Sequence, residues 1–299
     1  MNNTKKEIKV WFTDFWGYED QQFNSLNNYF VNLLSFFNVN FCLDESNPDI
    51  LFYSCFGSEH KKYQAVKKIY VLGENSGPRF RDPTYENCDL TLSHIEHDKN
   101  VLFPLWLIYL NWFSQSQPLN GPCNPSYLIN LEDIKTASIS PDKPFCCMMN
   151  NNPVENRVEV FRELNRSIGV HSLGDLYRNQ AKRIPPGEMN KIKEIGKYNF
   201  VIAMENSYHP NYTTEKFIHV VATEAVPIFW GGFKTLEGIG FEERAIFLDR
   251  DFKVGEVLEQ IVDFVASPKM FDPKNVQKRI IERYGIERYG RKLLEKILE

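Results

Sequence analysis

Apolar residues in this chain fall in short runs, separated by longer stretches in which they recur every three or four positions. Ile8 to Thr13, Val39 to Leu43, Ile50 to Cys55, Ile69 to Leu72 and Leu90 to Ser93 are runs of the first kind. Each is brief and rich in β-branched or aromatic residues, as expected of a strand covered on both faces in a parallel sheet. Asp20 to Phe37 and Glu59 to Lys68 are stretches of the second kind and predict helices. Alternation of the two is a βαβ rhythm.

Between Gln115 and Lys143 the periodicity fades and prolines at 118, 122, 125 and 141, with one more at 144, punctuate the chain, which predicts a domain junction. The rhythm then resumes, with strands over Phe145 to Met149, Phe200 to Met204 and Ala245 to Leu248, and helices over Glu155 to Arg166 and Val254 to Val265. The expected fold is α/β, with Rossmann-like domains over residues 1–130 and 131–272 and a helical tail over 273–299. The tail carries a tandem pentapeptide, Ile281-Glu282-Arg283-Tyr284-Gly285 and Ile286-Glu287-Arg288-Tyr289-Gly290. Two copies are too few for a solenoid, so a surface helix kinked at its glycines is expected. Its end, Arg291-Lys292-Leu293-Leu294, is the competing candidate for contact with a membrane surface.

Composition narrows the partners. The 299 residues are 42% hydrophobic and 14% aromatic, enough to fill two cores of ordinary size. A formal net charge of −4 argues against general nucleic-acid or acidic-membrane binding, which takes an excess of lysine and arginine. Basic chemistry must then be local. No apolar run is long enough to span a bilayer, and the opening MNNTKKEIKVWF enters a strand pattern without the apolar core of a signal peptide. The six cysteines (Cys42, Cys55, Cys88, Cys123, Cys146, Cys147) show no CxxC spacing, so reduced thiols in a cytoplasmic protein are expected. A sequon at Asn211 falls inside the candidate site, where a glycan would block it.

That site is Phe200 to Gly232, where a strand, a polar loop, a helix start and a second strand follow in close order. Phe200 to Met204 runs into Glu205-Asn206-Ser207. Thr213 is placed to cap a helix whose first turn is Thr214, Glu215 and Lys216 and whose buried face is Phe217, Val220 and Val221. A lysine there faces the positive end of the helix dipole, which disfavours it by about 0.3–1 kcal/mol unless an anion lies between them. Phosphate is such an anion, and it would meet the free backbone N–H groups as well.

Glu205-Asn206-Ser207, Tyr212, Thr214-Glu215-Lys216 and Val226-Pro227-Ile228-Phe229-Trp230-Gly231, in this order, resemble the signature of the α1,3/α1,4-fucosyltransferase family. Gly73-Glu74-Asn75 after the strand Ile69 to Leu72, Arg157 after Asn150-Asn151-Asn152-Pro153, and Asp14-Phe15-Trp16-Gly17 fit the same pattern. The resemblance implies a GT-B fold, two Rossmann-like domains with an interdomain cleft. It also implies an inverting transfer of L-fucose from GDP-β-L-fucose to the 3-OH, or the 4-OH, of GlcNAc in a lactosamine-type acceptor. Glu74 would be the general base, Arg157 and Lys216 would grip the pyrophosphate, and Asn206, Tyr212 and Glu215 would complete the donor site. No metal and no cofactor is implied. The lack of a membrane anchor and of paired C-terminal cysteines departs from animal members and resembles a soluble bacterial type.

The chemistry of such a transfer asks for the same residue types. Breaking the anomeric bond leaves negative charge on the departing phosphate, for which Arg157 offers a two-pronged donor and Lys216 a point charge. Deprotonating the acceptor needs a carboxylate on a rigid strand end, as Glu74 would be. Glu215, beside Lys216, is a poor base and better suited to a ribose hydroxyl. Read without the resemblance, Glu74 is a surface carboxylate and Arg157 a partner for Glu155 or Glu159. Asp249-Arg250-Asp251 closes a strand ahead of a helix and reads as capping rather than a metal pair. His94 and His97, near Glu96, lack a third ligand and read as solvated loop histidines. A nicotinamide oxidoreductase would show G-x-G-x-x-G after a strand, which is absent. A solute-binding protein would show an export signal. The alternatives left are a catalytically silent nucleotide-sugar binder and a GT-B transferase with a different donor sugar.

Overall fold

A computed structural model of the chain describes residues 6–15, 28–64, 66–75, 87–96, 98–114, 127–267 and 269–299. Trp16 and Gly17 of the early loop, the start of the first expected helix, His97 and Cys123 lie outside the described residues. The chain divides into two compact units, Met1–Leu128 with Ile281–Glu299, and Ile129–Ile280.

In the first unit, β1 (Ile8–Thr13), β2 (Phe41–Leu43), β3 (Ile50–Tyr53), β4 (Lys67–Val71), β5 (Leu90–Ser93) and β6 (Asn100–Leu102) form one sheet. Every pairing is parallel, in the order β2-β1-β3-β4-β5-β6. Its core is aromatic: the Phe52 ring stacks on Phe12 at 5.0 Å and on Phe30 at 4.9 Å. Phe30 comes from helix α1 (Tyr29–Phe36), whose start is fixed by Asn28, with Oδ1 accepting from the N–H groups of Phe30 and Val31 at 3.0 Å. Glu59 to Lys68 is not the helix its periodicity predicts. It makes one 3-10 turn, Glu59–Lys62, and β4 already begins at Lys67. Buried Asp14 holds that turn, accepting from the N–H groups of Glu59 and His60 at 2.9 Å and from the His60 ring.

The second unit runs β7 (Cys146–Met148), α2 (Glu155–Ile168), β8 (Val170–Ser172), α3 (Glu188–Ile195), β9 (Phe200–Met204), α4 (Glu215–Val221), β10 (Val226–Trp230), β11 (Ile246–Leu248) and α5 (Val254–Ala266). Its parallel sheet has the order β11-β10-β9-β7-β8. All five residues of β9 and of β10 are buried, which is why both read as unbroken apolar runs. The chain steps outward from β7 to β8 and then returns on the other side of β7 to lay down β9. Order reverses there, and in open parallel sheets such a reversal opens a crevice at the carboxyl ends of the strands.

The tail does not stand apart. Helix α6 (Pro273–Tyr284), a π-helical turn (Ile286–Gly290) and α7 (Arg291–Leu298) follow in sequence, and from Ile281 onward they belong to the first unit. The two pentapeptides play different parts, since Ile281 is 53% exposed while Ile286 is buried. Gly290 lies against Leu33, the Tyr289 hydroxyl donates to the Leu102 carbonyl at 2.7 Å, and the Arg291 guanidinium stacks on Phe37. Leu293, Leu294 and Ile297 are buried, so the leucines of the segment that competed as a membrane contact are inside the fold. Among the described residues no helix is long and apolar enough to cross a membrane, and Cys42, Cys55, Cys88, Cys146 and Cys147 are free thiols.

Candidate active site

Strand β9 ends at Met204, and the next residue, Glu205, is completely buried. A carboxylate in that position has to be met by donors or a cation. The Thr214 backbone N–H donates to Oε1 at 2.8 Å, the Thr214 hydroxyl lies 2.8 and 2.9 Å from the two oxygens, and the Lys216 ammonium donates to Oε2 at 2.9 Å. Lys216 also donates to Thr214 Oγ1 at 2.9 Å and lies 3.4 Å from Glu215. The residue ahead of α4 is Thr214 rather than Thr213, whose hydroxyl donates instead to the Gly232 carbonyl. Glu205 is therefore the anion at this helix start. The charge conflict that pointed to an external phosphate is resolved within the chain.

The glycine pair that follows β10 makes this closure possible. A Cβ on Gly231 would sit 2.6 Å from Glu205 Cγ, and one on Gly232 would sit 1.7 Å from the His209 carbonyl oxygen. Any side chain at 232 would displace the loop that carries Asn211 and Tyr212. Asn211 is itself buried, in no position to carry a glycan.

Arg157, in the first turn of α2, is 2% exposed and pairs with neither Glu155 nor Glu159. Its Nε and Nη2 donate to the Met204 carbonyl at 3.2 and 2.8 Å, and Nη1 reaches the Asn152 carbonyl at 3.5 Å. Three of the five guanidinium N–H bonds are used, leaving one on each terminal nitrogen. Burial pulls the guanidinium below its ordinary pKa, against the nearby charges of Glu205 and Glu215.

Lys191 on α3 completes the cluster. Its ammonium lies 3.6 Å from Glu215 Oε1, the same oxygen that Lys216 approaches. Burial works to raise the Glu215 carboxyl, but Lys216 and Lys191 outweigh it and hold the group well below the ordinary carboxylate range. Burial likewise lowers Lys216, and there Glu205 and Glu215 reverse the sign and push it up. Lys191 is pulled down, chiefly by burial. Three cations, Arg157, Lys191 and Lys216, thus face two carboxylates, Glu205 and Glu215. The crevice between β7 and β9 is lined by Asn150, Lys191 and Lys216 among others.

Five of the residues nominated from sequence, Arg157, Asn206, Tyr212, Glu215 and Lys216, gather around the end of β9. Tyr212 is buried and its carbonyl accepts from Gly232 N–H at 3.1 Å, while half-buried Asn206 accepts from the Ser207 hydroxyl at 3.3 Å. Glu74 belongs to the first unit, half-buried just past β4 and beside Cys55, whose thiol is pushed up by burial and further by the Glu74 charge. Neighbouring Asn75 bonds His94 Nε2 at 2.9 Å, so His94 is a buried, engaged residue and not a solvated one. Sequence reasoning gave no role to Glu205 and passed over Lys191. Glu205 carries a signal, a carboxylate ending an apolar run shortly before a lysine at a helix start, whereas Lys191 sits in the amphipathic stretch Glu188–Ile195, indistinguishable from a surface helix.

Two parallel-sheet α/β units are the components of a GT-B fold, the fold of one class of glycosyltransferases. Residues 141–270 match glycosyltransferase family 10 (fucosyltransferase), C-terminal part, and residues 10–109 match the α-(1,3)-fucosyltransferase FucT N-terminal domain. The chain belongs to this fucosyltransferase family. It is similar to 4-galactosyl-N-acetylglucosaminide 3-α-L-fucosyltransferase 9 of Cricetulus griseus, 32% identical over 93 residues, covering 31% of this chain and 24% of that protein. The Homo sapiens protein of the same name is 31% identical over 93 residues, with the same two shares, 31% and 24%. The chain thus matches about a quarter of the length of these relatives. A crystal structure of an α1,3-fucosyltransferase with GDP-fucose shares the fold, with a TM-score of 0.59 at 16% identity over 100% of this chain and 93% of the other. A glycosyltransferase from Rickettsia africae ESF-5 does so less closely, with a TM-score of 0.51 at 12% identity over 98% and 99%.

Proposed function

We propose that this protein is an inverting α1,3-fucosyltransferase. It moves L-fucose from GDP-β-L-fucose to the 3-OH of GlcNAc in a lactosamine-type acceptor. The observation that carries this reading is the trio of cations set around two carboxylates at the carboxyl edge of β7 and β9. Arg157 has two N–H bonds left for a pyrophosphate, and Lys216, bonded to Glu205 and Thr214 and 3.4 Å from Glu215, adds a fixed positive charge beside it. Such donors, fixed in advance of the reaction, stabilise the charge that grows on the leaving GDP without reorganising. Glu215 takes the ribose, Asn206 and Tyr212 complete the donor pocket, and Glu74 removes the acceptor proton. The chain's own cations neutralise the leaving group, so the reaction needs no metal and survives a chelator. The hamster and human relatives are named for a galactosyl-N-acetylglucosamine acceptor, which supports the choice of lactosamine. A cytoplasmic location fits the free thiols.

The deciding experiment incubates the protein with GDP-fucose and a panel of type 1 and type 2 disaccharides and determines the product linkage. An α1,3 product on the type 2 acceptor is expected, and an α1,4 product on type 1 would reassign the regiochemistry. GDP should raise the melting temperature, as mass action requires of a ligand of the native state. A protein stabilised by GDP that transfers nothing would be the catalytically silent binder. One indifferent to GDP would refute the donor assignment.

A further inference from the structure

Lys191 and Asn150 are left over once the donor site is assembled as above. Lys191 rises from α3, and its side chain is only 21% exposed. Among the described residues its ammonium makes no hydrogen bond and has one ionic neighbour, Glu215 Oε1 at 3.6 Å. Holding a long cation under cover for one loose contact is costly unless the contact has a use. Across the same crevice the Asn150 Oδ1 is buried without a hydrogen-bond partner among the described residues. Asn150 is no floppy loop residue. Its carbonyl accepts from Leu176 N–H at 3.1 Å, and Gly174 packs so tightly on it that a Cβ there would lie 2.1 Å from the Asn150 oxygen. The chain thus presents, at the strand-order reversal, an acceptor lacking a donor among the described residues and an ammonium held only by one long ionic contact.

The geometry of Glu215 says what the ammonium does. Lys191 and Lys216 approach the same oxygen from α3 and α4, at 3.6 and 3.4 Å, so the carboxylate is braced along one edge while 22% of its side chain stays exposed. An ionised carboxylate offers only acceptors, and the chemistry that matches one fixed this way is a vicinal diol, two hydroxyls able to donate together. We propose that Lys191 is a positioning residue of the nucleotide site, bracing Glu215 to accept from the ribose diol of a nucleoside diphosphate. This rests on the donor reading above and adds a specificity to it: the ribose hydroxyls, and not the phosphates, register the loss of Lys191.

Calorimetry on the full chain tests this with GDP, 2′-deoxy-GDP and 3′-deoxy-GDP against the parent, Lys191→Met and Lys191→Arg. The parent should prefer GDP over at least one deoxy form by about tenfold or more, the scale of one hydrogen bond to a charged group. In Lys191→Met that preference should collapse towards one, because GDP binds more weakly while the deoxy form hardly changes. Lys191→Arg should restore it. Equal weakening of all three nucleotides would make Lys191 a phosphate contact and overturn the proposal. So would an unchanged preference in Lys191→Met, including one accompanied by a lower melting temperature, since a purely structural lysine gives that pattern. A parent that binds no form of GDP sinks the donor reading itself, which is a different result from a parent that binds GDP and a Lys191→Met that discriminates like it.

Discussion

The pair Glu205 and Lys216 can be tested apart from any ligand. Glu205 is wholly buried and Lys216 has 21% of its side chain exposed, so removing either partner strands the other in a poorly solvated place. Breaking a buried pair from one side costs about 3–5 kcal/mol. Lys216→Met belongs at the lower end, about 3 kcal/mol, because Glu205 keeps the donors on Thr214. Glu205→Gln keeps an oxygen for Thr214 N–H and leaves Lys216 its contact with Glu215, so about 2 kcal/mol is expected. The double variant buries no stranded charge and should lose about 3 kcal/mol in all, a coupling of about 2 kcal/mol. The assay is thermal unfolding of the four proteins without nucleotide, where a loss of about 3 kcal/mol in a unit of this size lowers Tm by about 6–12 °C. If the losses of the two single variants add in the double variant to within about 0.5 kcal/mol, the ion pair does not exist in solution and the account of the helix start is wrong.

Three further outcomes are expected. Glu74→Ala should leave GDP affinity unchanged and lower kcat by about 10²–10⁴, the usual range for a lost general base, and unchanged turnover would remove Glu74 from that role. Arg157→Ala should weaken GDP binding and kcat/KM together by about 2–5 kcal/mol, and a GDP titration matching the parent would show that the guanidinium serves only the Met204 carbonyl. Glu215 has its carboxyl held below the ordinary 4.5, so its contribution to stability is full above that pH and is lost as pH falls through the folded value. Between about pH 5 and 3 the melting temperature of Glu215→Gln should fall less steeply than that of the parent, and parallel slopes would refute the pairing with Lys191 and Lys216.

Most of the sheet residues were legible because a strand buried on both faces has to be apolar throughout. Ile8–Thr13, Leu90–Ser93 and Phe200–Met204 fall where their runs fall. Asn100–Leu102 and Val170–Ser172 did not announce themselves, being three residues long with polar members, and they pair only at sheet edges. Glu59 to Lys68 misled because its periodicity is real but its neighbours overrule it. Asp14, 46 residues away from His60, fixes the turn, and the need to start β4 at Lys67 leaves no length for a helix. The tail misled in the opposite direction. Its charges read as a free surface helix, while the residues it buries, Tyr284, Ile286, Leu293 and Ile297, are spaced widely enough to be outvoted in composition.

The site was legible at the level of local spacing and illegible at the level of pairing, and Lys216 shows why. A lysine in the first turn of a helix requires an anion beside it, and one is there. The anion stands 11 residues back, at the end of the strand on which that helix packs. A βα unit returns its helix start to the carboxyl end of the preceding strand, so a charged residue ending the strand and one opening the helix are neighbours by topology. Applied to this chain, that rule recovers Glu205 from the sequence. It also changes what the lysine can be taken to mean: neutralised by Glu205 and Glu215, Lys216 contributes little net charge, and among the described residues Arg157, whose hydrogen bonds go to backbone carbonyls, is the cation of the cluster with no carboxylate in ion-pair contact.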